Sequence, residues 1–345
     1  MRRTLLVLTL LPSIAFLSPR QGWSHLQGPI DVPTLIRDAN LIAVGEVTDV
    51  WSNGREVSQF DGISESGRLM QARLRILRML KGNAVDELMF TFFRSNFGDS
   101  GFVGVNKGEF GLFFFRESGD GLIFASHEYP KIIAGQEQCV TAGEPLDRVV
   151  GELACVIESP TSAVFDRISA LGALATAPAT SATEVLQRAA HELPAPLNLL
   201  AAIDHVARND ISALPLIEEG ARTSPMLDIS DKGSTMQYHW GRALEGIKNA
   251  AAIPALARML MVDDSEIRQG AVEGLRNTES EAALEPLSKA LNDSNSWVRW
   301  KAVMALATIT HQKEWYPVYD QFKENEQLYL DYWKAWAIRK FSKDQ

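Results

Sequence analysis

The stretches Trp240-Gly-Arg-Ala-Leu244, Ala271-Val-Glu-Gly-Leu275 and Ala302-Val-Met-Ala-Leu306 decide the fold, because they follow one another at a constant step of 31 residues. Four apolar or small positions recur in each copy at the spacing i, i+4, i+7 and i+8. This spacing places them on one face of a helix. The three sets are Met236, Trp240, Ala243 and Leu244; Ile267, Ala271, Gly274 and Leu275; and Val298, Ala302, Ala305 and Leu306.

A second helix follows in each copy, and its apolar positions repeat with the same step. Each pair of helices exposes an apolar face that only a neighbouring pair can cover. The sequence therefore predicts a stack of helical pairs, which is an α-solenoid. The repeating positions of the second helices are Ile253, Leu284 and Trp315; Leu256, Leu287 and Val318; and Leu260, Leu291 and Phe322.

The repeated residues resemble those of HEAT repeats. The resemblance covers residues 160–325 and is most specific from residue 236 onward. It implies that an Asp and an Arg of successive units bond along the stack. The middle copy departs from the pattern, because Val262 falls where Asp293 repeats, and Asp263 or Asp264 must then substitute. The residues that carry the resemblance are Asp293 with Val298-Arg299, Ala302, Ala305 and Leu306, and Ile267-Arg268 with Ala271.

Less regular helical patterns precede and follow these copies. Residues 223–234 are a polar insertion, and residues 326–341 predict a terminal helix that caps the stack. Upstream, two degenerate pairs are expected, with helices over residues 165–175, 182–191, 197–208 and 211–221.

The first half of the chain has the signals of β-strands. Short segments rich in β-branched or aromatic residues are separated by turn signals such as Ser118-Gly119-Asp120-Gly121. At least five such strands predict a small sandwich or barrel. Residues 146–157 predict a helix that closes this domain. The expected strands are residues 41–50, 71–79, 88–93, 110–115 and 122–125.

This half resembles the OB-like barrel of the netrin and TIMP type. The motifs are Val44-x-x-Val47, Ile76-x-x-Met79-Leu80-Lys81-Gly82, and Lys107-Gly108-Glu109 ahead of the Phe-rich strand. The N-terminal cysteine pair that carries metalloproteinase inhibition in that family has no match here, so the resemblance does not imply inhibition.

Charge and the first residues bear on partners and compartment. The net charge of −9 repels phosphate backbones and argues against general nucleic-acid binding.

Met1-Arg2-Arg3 and the apolar run over residues 4–17 are typical of a signal peptide, with cleavage near Ser24. The run is short for a membrane span of about 20 residues, and no later segment is long and apolar enough. We expect a secreted or periplasmic protein without a membrane span after signal removal.

In an exported protein the two cysteines can form a disulfide. An even number of cysteines in an exported chain favours a disulfide between Cys139 and Cys155, which lie 16 positions apart. The alternative is a pair of independent buried thiols.

Aromatic residues concentrate near the C-terminus. Tyr329, Trp333 and Trp336 lie at i, i+4 and i+7, which favours packing of the terminal helix onto the preceding pair. The alternative is an exposed anchor for a partner, for which Trp297 and Trp300 are candidates because they fall outside the repeating inward positions. The candidate partner-binding residues are Trp297, Trp300, Trp315 and Trp333.

No complete catalytic group emerges. Gly98-Asp99-Ser100-Gly101 is similar to the nucleophile segment of a chymotrypsin-type protease, but only His25 precedes it, so a turn is favoured. His127-Glu128 and His191-Glu192 resemble the dyads with which one HEAT-repeat hydroxylase family binds iron. Because one dyad lies in each half, a di-iron site is not expected. His205 occupies an inward helical position, which favours a hydrogen-bonded core imidazole.

The sequence therefore predicts an α+β two-domain chain. Residues 1–24 are a signal peptide, residues 25–158 a small OB-like barrel or sandwich, and residues 159–345 a HEAT-like α-solenoid. The leading functional hypothesis is an exported, non-enzymatic scaffold that binds a protein partner through the solenoid surface, with no cofactor or metal. An enzyme or enzyme inhibitor with a site at the junction is the alternative, and a structural envelope component is a third. The enzyme alternative draws on Asp99, Ser100, His127 and Glu128.

Overall fold

The computed structural model describes residues 30–96, 104–119, 121–136, 139, 143–223 and 236–342. The predicted signal peptide lies outside the described residues, and so do Asp99 and Ser100. Within them, the first half is a β-sheet and the second half is helical, as predicted.

The sheet is antiparallel, with the strand order β3-β2-β1-β4-β5 and with β6 beside β4. β1 and β2 are longer than predicted, because their pairing continues from Ile42 opposite Lys81 to Val57 opposite Gly67. The polar outer parts of these strands have little strand signal of their own, and the long hairpin pairing keeps them extended. The strands are β1 Leu41–Val57, β2 Gly67–Lys81, β3 Glu87–Ser95, β4 Phe110–Ser118, β5 Gly121–Phe124 and β6 Lys131–Ile132.

The sheet curls around a core of phenylalanines. The two strands at the ends of the order approach each other, and the rings of Phe90 and Phe124 lie 5.0 Å apart. Phe92, Phe113 and Phe115 fill the same interior. Among the described residues no backbone ladder joins β3 to β5, so the sheet is barrel-like but open.

The opposite face of the sheet packs against helices. Ile42, Val44, Leu112 and Phe114 belong to one continuous apolar core with helices α1, Val32–Asp38, and α2, Pro145–Glu158. α2 is the predicted closing helix, and it packs against both β2 and the first helix of the stack. The core on this face of the sheet is therefore continuous with the core of the solenoid, whereas the phenylalanine interior is a separate cluster.

Within the described residues, the helical half has five successive pairs and a terminal helix. The first helices of the pairs are α3, α5, α7, α9 and α11; the second helices are α4, α6, α8, α10 and α12; α13 caps the stack. No helix in the described part of the chain has both the length and the apolarity that crossing a membrane requires. The bounds are α3 Val164–Ala175, α4 Thr180–Glu192, α5 Leu197–Ala207, α6 Leu214–Thr223, α7 Met236–Glu245, α8 Ile253–Met259, α9 Ser265–Asn277, α10 Leu284–Ala290, α11 Ser296–Ile309, α12 Tyr319–Glu324 and α13 Glu326–Phe341.

The repeating positions of the first helices are buried as predicted: Ile267, Val298 and Leu306 have no exposed surface. The first helices pack closely, since a Cβ atom added to Gly270 would lie 2.2 Å from the carbonyl oxygen of Gly241 on α7. This approach is possible only because both positions lack a side chain.

The second helix of the last copy departs from the predicted pattern. Val318, expected inward, is 60% exposed. In the two preceding copies a 3₁₀ turn leads directly into the second helix, whereas Pro317 separates the turn at residues 313–315 from α12. Proline cannot donate a helical hydrogen bond and disfavours helical backbone in the residue before it. The helix therefore begins only at Tyr319, and Val318 is left outside it.

Candidate partner-binding surfaces

A ladder of charged side chains holds successive repeats together. Arg268 on α9 donates hydrogen bonds to both carboxylate oxygens of Asp293, at 2.7 and 2.9 Å. It also donates to the carbonyl oxygens of Val262 and Asp263. Both side chains are nearly buried, at 10% and 9% exposure. The bonding between Asp and Arg of successive units, implied by the resemblance, is therefore present.

The ladder continues to the end of the stack. Arg299 donates to Glu326 at the start of α13 and to the carbonyl oxygens of Asp293 and Ser294. Burial acts to raise the pKa of Asp293, but the hydrogen bonds from Arg268 and from the backbone N–H of Asn295 outweigh it, so the pKa is lowered. Asp293 is thus held as a carboxylate between two repeats.

The expectation that Asp263 or Asp264 substitutes for the missing ladder Asp is wrong. The Asp264 carboxylate accepts hydrogen bonds from the N–H groups of Glu266 and Ile267 and caps the start of α9. The position one repeat before Arg268 is Gln237. The arginine and the aspartate of the ladder are therefore both absent one repeat earlier. Without an arginine there is no buried cation for an aspartate to neutralise.

A groove separates the second helices α8 and α10. Its volume is about 590 Å³, and its floor includes Leu260 and Ala290. Met261, at one edge of the groove, is 84% exposed, although the fully buried Met259 is only two residues away. Glu285 and Lys289, paired with each other at 2.8 Å, also line the groove. We call this cleft the α8–α10 groove.

The loops from α8 to α9 and from α10 to α11, with the first turn of α11, form one side of the stack, which we call the loop edge (residues 260–264 and 291–297). Met261 lies in the first loop, and Trp297 lies just beyond the second. Trp297 is 43% exposed, and its ring stacks on Tyr319 with the centroids 3.7 Å apart. One ring face of Trp297 is therefore used for packing while the residue keeps a large exposed area.

The other candidate tryptophans lie deeper. Trp300 is half-buried and donates its indole N–H to the carbonyl oxygen of Pro317 at 3.0 Å. Trp315 stacks on Tyr332 with the centroids 3.5 Å apart. Trp333 has no exposed surface and belongs to the core beneath the terminal helix. Trp333 is therefore a core packing residue, and Trp297 is the most exposed of the four candidate tryptophans.

A buried ion pair and a disulfide lie where the sheet meets the stack. Arg78 on β2 donates to both carboxylate oxygens of the fully buried Glu152 on α2, at 2.6 and 2.8 Å, and to the carbonyl oxygen of Gly135. Cys139 is bonded to Cys155 on α2, so the predicted disulfide is present. A cleft of about 360 Å³ runs beside the disulfide, with Arg188 of α4 in its lining.

His127 lies beside the carboxylate of Asp61. Its Nε2 atom lies 2.6 Å from Oδ2 of Asp61, which also bonds to Arg116. Asp61 occupies an Asp-Gly turn with positive φ at Asp61 and Gly62. Burial acts to raise the pKa of Asp61, but the hydrogen bonds from Arg116 and His127 lower it overall. Ser100, which the enzyme alternative also invokes, lies outside the described residues.

The second His-Glu dyad is exposed at the end of α4, where His191 and Glu192 are its last two residues. No group of three or more His, Cys, Asp or Glu side chains with metal-binding geometry occurs in the described part of the chain. His205 is fully buried and bonds through Nε2 to the hydroxyl of Ser212 at 2.9 Å.

Three features of these surfaces were missed in the sequence. Met261 occupies the position of Asn292 in the next copy, so a large apolar residue replaces a polar one and could have been noticed. The Asp61-Gly62 pair is a turn signal, but nothing local indicates that His127 lies beside it. The ion pair between Arg78 and Glu152 joins residues 74 positions apart and leaves no local signal.

Comparison with known proteins agrees with this architecture. Residues 229–307 and 261–323 match the family model of HEAT repeats. A search of curated proteins finds no match to the chain. The repeats over residues 229–323 are therefore HEAT repeats, and such repeats suggest a protein-binding scaffold.

Proposed function

We propose that this HEAT-repeat stack is the binding platform of an exported, non-enzymatic scaffold that holds a protein partner. The observation that carries the proposal is the exposure of Met261 and Trp297 on the loop edge, where Met261 also lines the α8–α10 groove. Large apolar side chains on a protein surface often mark interaction sites, and tryptophan is enriched among the residues that dominate binding energy.

The repeats beneath this edge favour tight binding. Arg268 and Asp293 join the loop before α9 to the loop after α10. Met261 and Trp297 therefore lie on a rigid base. A preorganised surface loses little conformational entropy when it binds. The flexible thioether of Met261 can adapt to the partner, while the ring of Trp297 supplies a stiff contact area.

Site-specific photocrosslinking tests the surface. A photoreactive phenylalanine analogue is placed at position 261, 297 or 338, one at a time, in the full-length protein in its native cells. Ile338 is a matched control because it is exposed but lies on α13, away from the loop edge. We expect the same discrete adduct from positions 261 and 297 and none from position 338. Adducts from all three positions, or from none, would contradict the proposal.

Export is supported by the basic start followed by an apolar run and by the disulfide, which persists in oxidising compartments. Cell fractionation followed by mass spectrometry of the intact protein tests it. We expect a chain that begins near residue 25, outside the cytoplasm, with Cys139 and Cys155 oxidised. A full-length reduced chain in the cytoplasm would refute export while leaving the binding surface open to the crosslinking test.

A second candidate function is an enzyme whose site lies in the β half. The contact of His127 with Asp61 favours it, because a carboxylate that orients an imidazole is a recurring part of general-base catalysis. His127→Ala is compared with His191→Ala, which removes an exposed imidazole from α4. Loss of a hydrolytic activity in the first variant alone would support the enzyme, and equal activity in both variants would exclude a role for His127.

A further inference from the structure

Met261 is the most exposed of the large apolar side chains in the described part of the chain. It is 84% exposed, whereas Met89 on β3 is 51% exposed and Met259, two residues before Met261, is fully buried. A thioether is oxidised only where an oxidant can reach its sulfur. Among the methionines whose exposure the structure describes, Met261 is therefore the one that an oxidant in solution reaches first.

The backbone around Met261 is held by hydrogen bonds that do not involve its side chain. The N–H of Met261 donates to the carbonyl oxygen of Arg258 at 3.1 Å. Arg268 donates to the carbonyl oxygens of Val262 and Asp263, at 2.9 and 2.7 Å. A chemical change at the exposed sulfur therefore alters the surface of the loop edge and leaves these bonds in place.

Hydrogen peroxide converts a thioether into a sulfoxide without a catalytic group from the protein. The sulfur of Met261 supplies an electron pair to one peroxide oxygen, and the O–O bond breaks. The second oxygen takes up the proton of the first and leaves as water, so the sulfur is oxidised and the peroxide is reduced. A dithiol reductase reverses the change, because its two thiols become a disulfide and the sulfoxide oxygen leaves as water.

Oxidation changes what Met261 offers to a partner. The thioether is apolar and flexible, whereas the sulfoxide is polar and chiral. Met261 lines the α8–α10 groove together with Leu260 and Ala290, so an apolar group bound there would cover the new S–O bond. Because a covered polar group without a hydrogen-bond partner destabilises a complex, the oxidised surface binds such a group less tightly.

We propose that Met261 is an oxidation site through which hydrogen peroxide weakens partner binding at the loop edge. This inference rests on the proposed function, because it takes the loop edge as the binding surface. Oxidation of Met259 would place a polar group in the core of the stack, whereas oxidation of Met261 leaves that core intact. Peroxide acting at Met261 therefore changes binding and not folding.

Tandem mass spectrometry of the full-length protein after brief peroxide treatment tests the site itself and needs no partner. We expect Met261 to gain an oxygen atom before Met89 does. Met259 should react at least about tenfold more slowly than Met261, because its sulfur is reached only when the stack opens locally. Urea denaturation should give the same free energy of unfolding before and after Met261 is oxidised. Equal rates at Met259 and Met261 would refute the site.

Photocrosslinking from position 297 in native cells, with and without peroxide, tests the effect on binding. We expect the adduct yield to fall at least about tenfold when Met261 is fully oxidised, because burying an unpaired polar group weakens binding by this order. In Met261→Leu, which has no sulfur at this position, the ratio of treated to untreated yield should stay near one. Met89→Leu removes an exposed methionine from the sheet and should lose the adduct as the wild type does.

The outcomes separate this inference from the proposed function. An untreated sample without an adduct refutes the proposed function and the inference with it. An adduct whose yield is the same before and after oxidation of Met261 refutes the inference alone, and so does a loss that persists in Met261→Leu. If Met261→Leu gives no adduct, a peroxide titration of the wild type decides. A loss that follows the sulfoxide fraction at Met261 supports the inference, and a loss that follows the fraction at Met89 refutes it.

Discussion

The repeats from α9 to α13 and the pairs from α3 to α6 share one architecture, but their interhelical arginines bond to different groups. In the first region Arg268 uses Nε and both terminal nitrogens, and its partner Asp293 caps the next loop. In the second, Nε of Arg208 has no partner, and Nη2 bonds to the carbonyl oxygens of Leu174 and Ala175 rather than to a carboxylate. A constant repeat lets one solution to buried charge be reused, whereas an irregular pair must rely on its own surroundings.

The irregular region is stabilised from outside the repeat pattern. The disulfide between Cys139 and Cys155 and the ion pair between Arg78 and Glu152 both attach to α2, which packs on α3 and α4. The regular region has no disulfide within it, because both cysteines lie before residue 160. Internal ladder bonds therefore support one region, and links to the sheet domain support the other.

The largest expected effect comes from breaking the ladder. Arg268→Ala leaves the nearly buried carboxylate of Asp293 without its main partner, and we expect a loss of about 3–5 kcal/mol in the free energy of unfolding. Urea denaturation at pH 7 measures it. Since the pair keeps the pKa of Asp293 low, the difference between variant and wild type should shrink as the pH falls below about 4.

Lys289→Ala is the control for this variant, because it removes an exposed ion pair with Glu285 from the same region. It should cost about 0.5 kcal/mol or less. Equal losses in the two variants would show that the ladder is no stronger than a surface pair, and the contrast between the regions would lose its basis.

The second effect is on the irregular region. The double variant Cys139→Ser/Cys155→Ser removes a cross-link that closes a 16-residue separation, and we expect a loss of about 3 kcal/mol. Hydrogen exchange should locate the loosening in α2 to α4 rather than in α9 to α11. Wild-type protein in reductant should reproduce the result, whereas uniform loosening of both regions would show that they are not supported separately.

The sequence predicted the regular region better than the irregular one for a physical reason. A burial pattern that recurs three times is stronger evidence than any single occurrence, so Ile267 and Val298 were placed correctly, as was the terminal helix Glu326–Phe341. Val318 was misplaced because Pro317 delays the last second helix. The extent of β1 and β2 was missed because strand pairing depends on a distant segment rather than on local propensity.

The site was harder to predict than the fold. The sequence drew attention to tryptophans, and Trp297 is exposed while Trp333 is fully buried, because exposure depends on which neighbouring helix covers each ring. Met261 became a candidate only when the groove between α8 and α10 was known.

A smaller effect concerns the close contact between the first helices α7 and α9, where the regular region begins. In Gly270→Ala the new methyl group would lie 2.2 Å from the carbonyl oxygen of Gly241, so α7 and α9 must separate. We expect a loss of about 1–3 kcal/mol in the free energy of unfolding, measured by urea denaturation. A variant as stable as the wild type would mean that the two helices separate at little cost and that their spacing is not fixed.

The smallest effect has the opposite sign and lies in the irregular region. Gly172 is in the interior of α3, is exposed, and would meet no atom within 4 Å if it carried a Cβ. A glycine in a helix interior lowers the stability of the folded protein by about 0.5–1 kcal/mol relative to alanine, because it gives the unfolded chain more conformational freedom. Gly172→Ala should therefore stabilise the protein by that amount in the same urea experiment. The same substitution would then have opposite signs in the two regions, as expected if first helices touch through their backbones only where the repeat is regular. A loss of stability at position 172 would instead indicate that the exposed face of α3 is covered in solution, which would contradict the contrast drawn between the two regions.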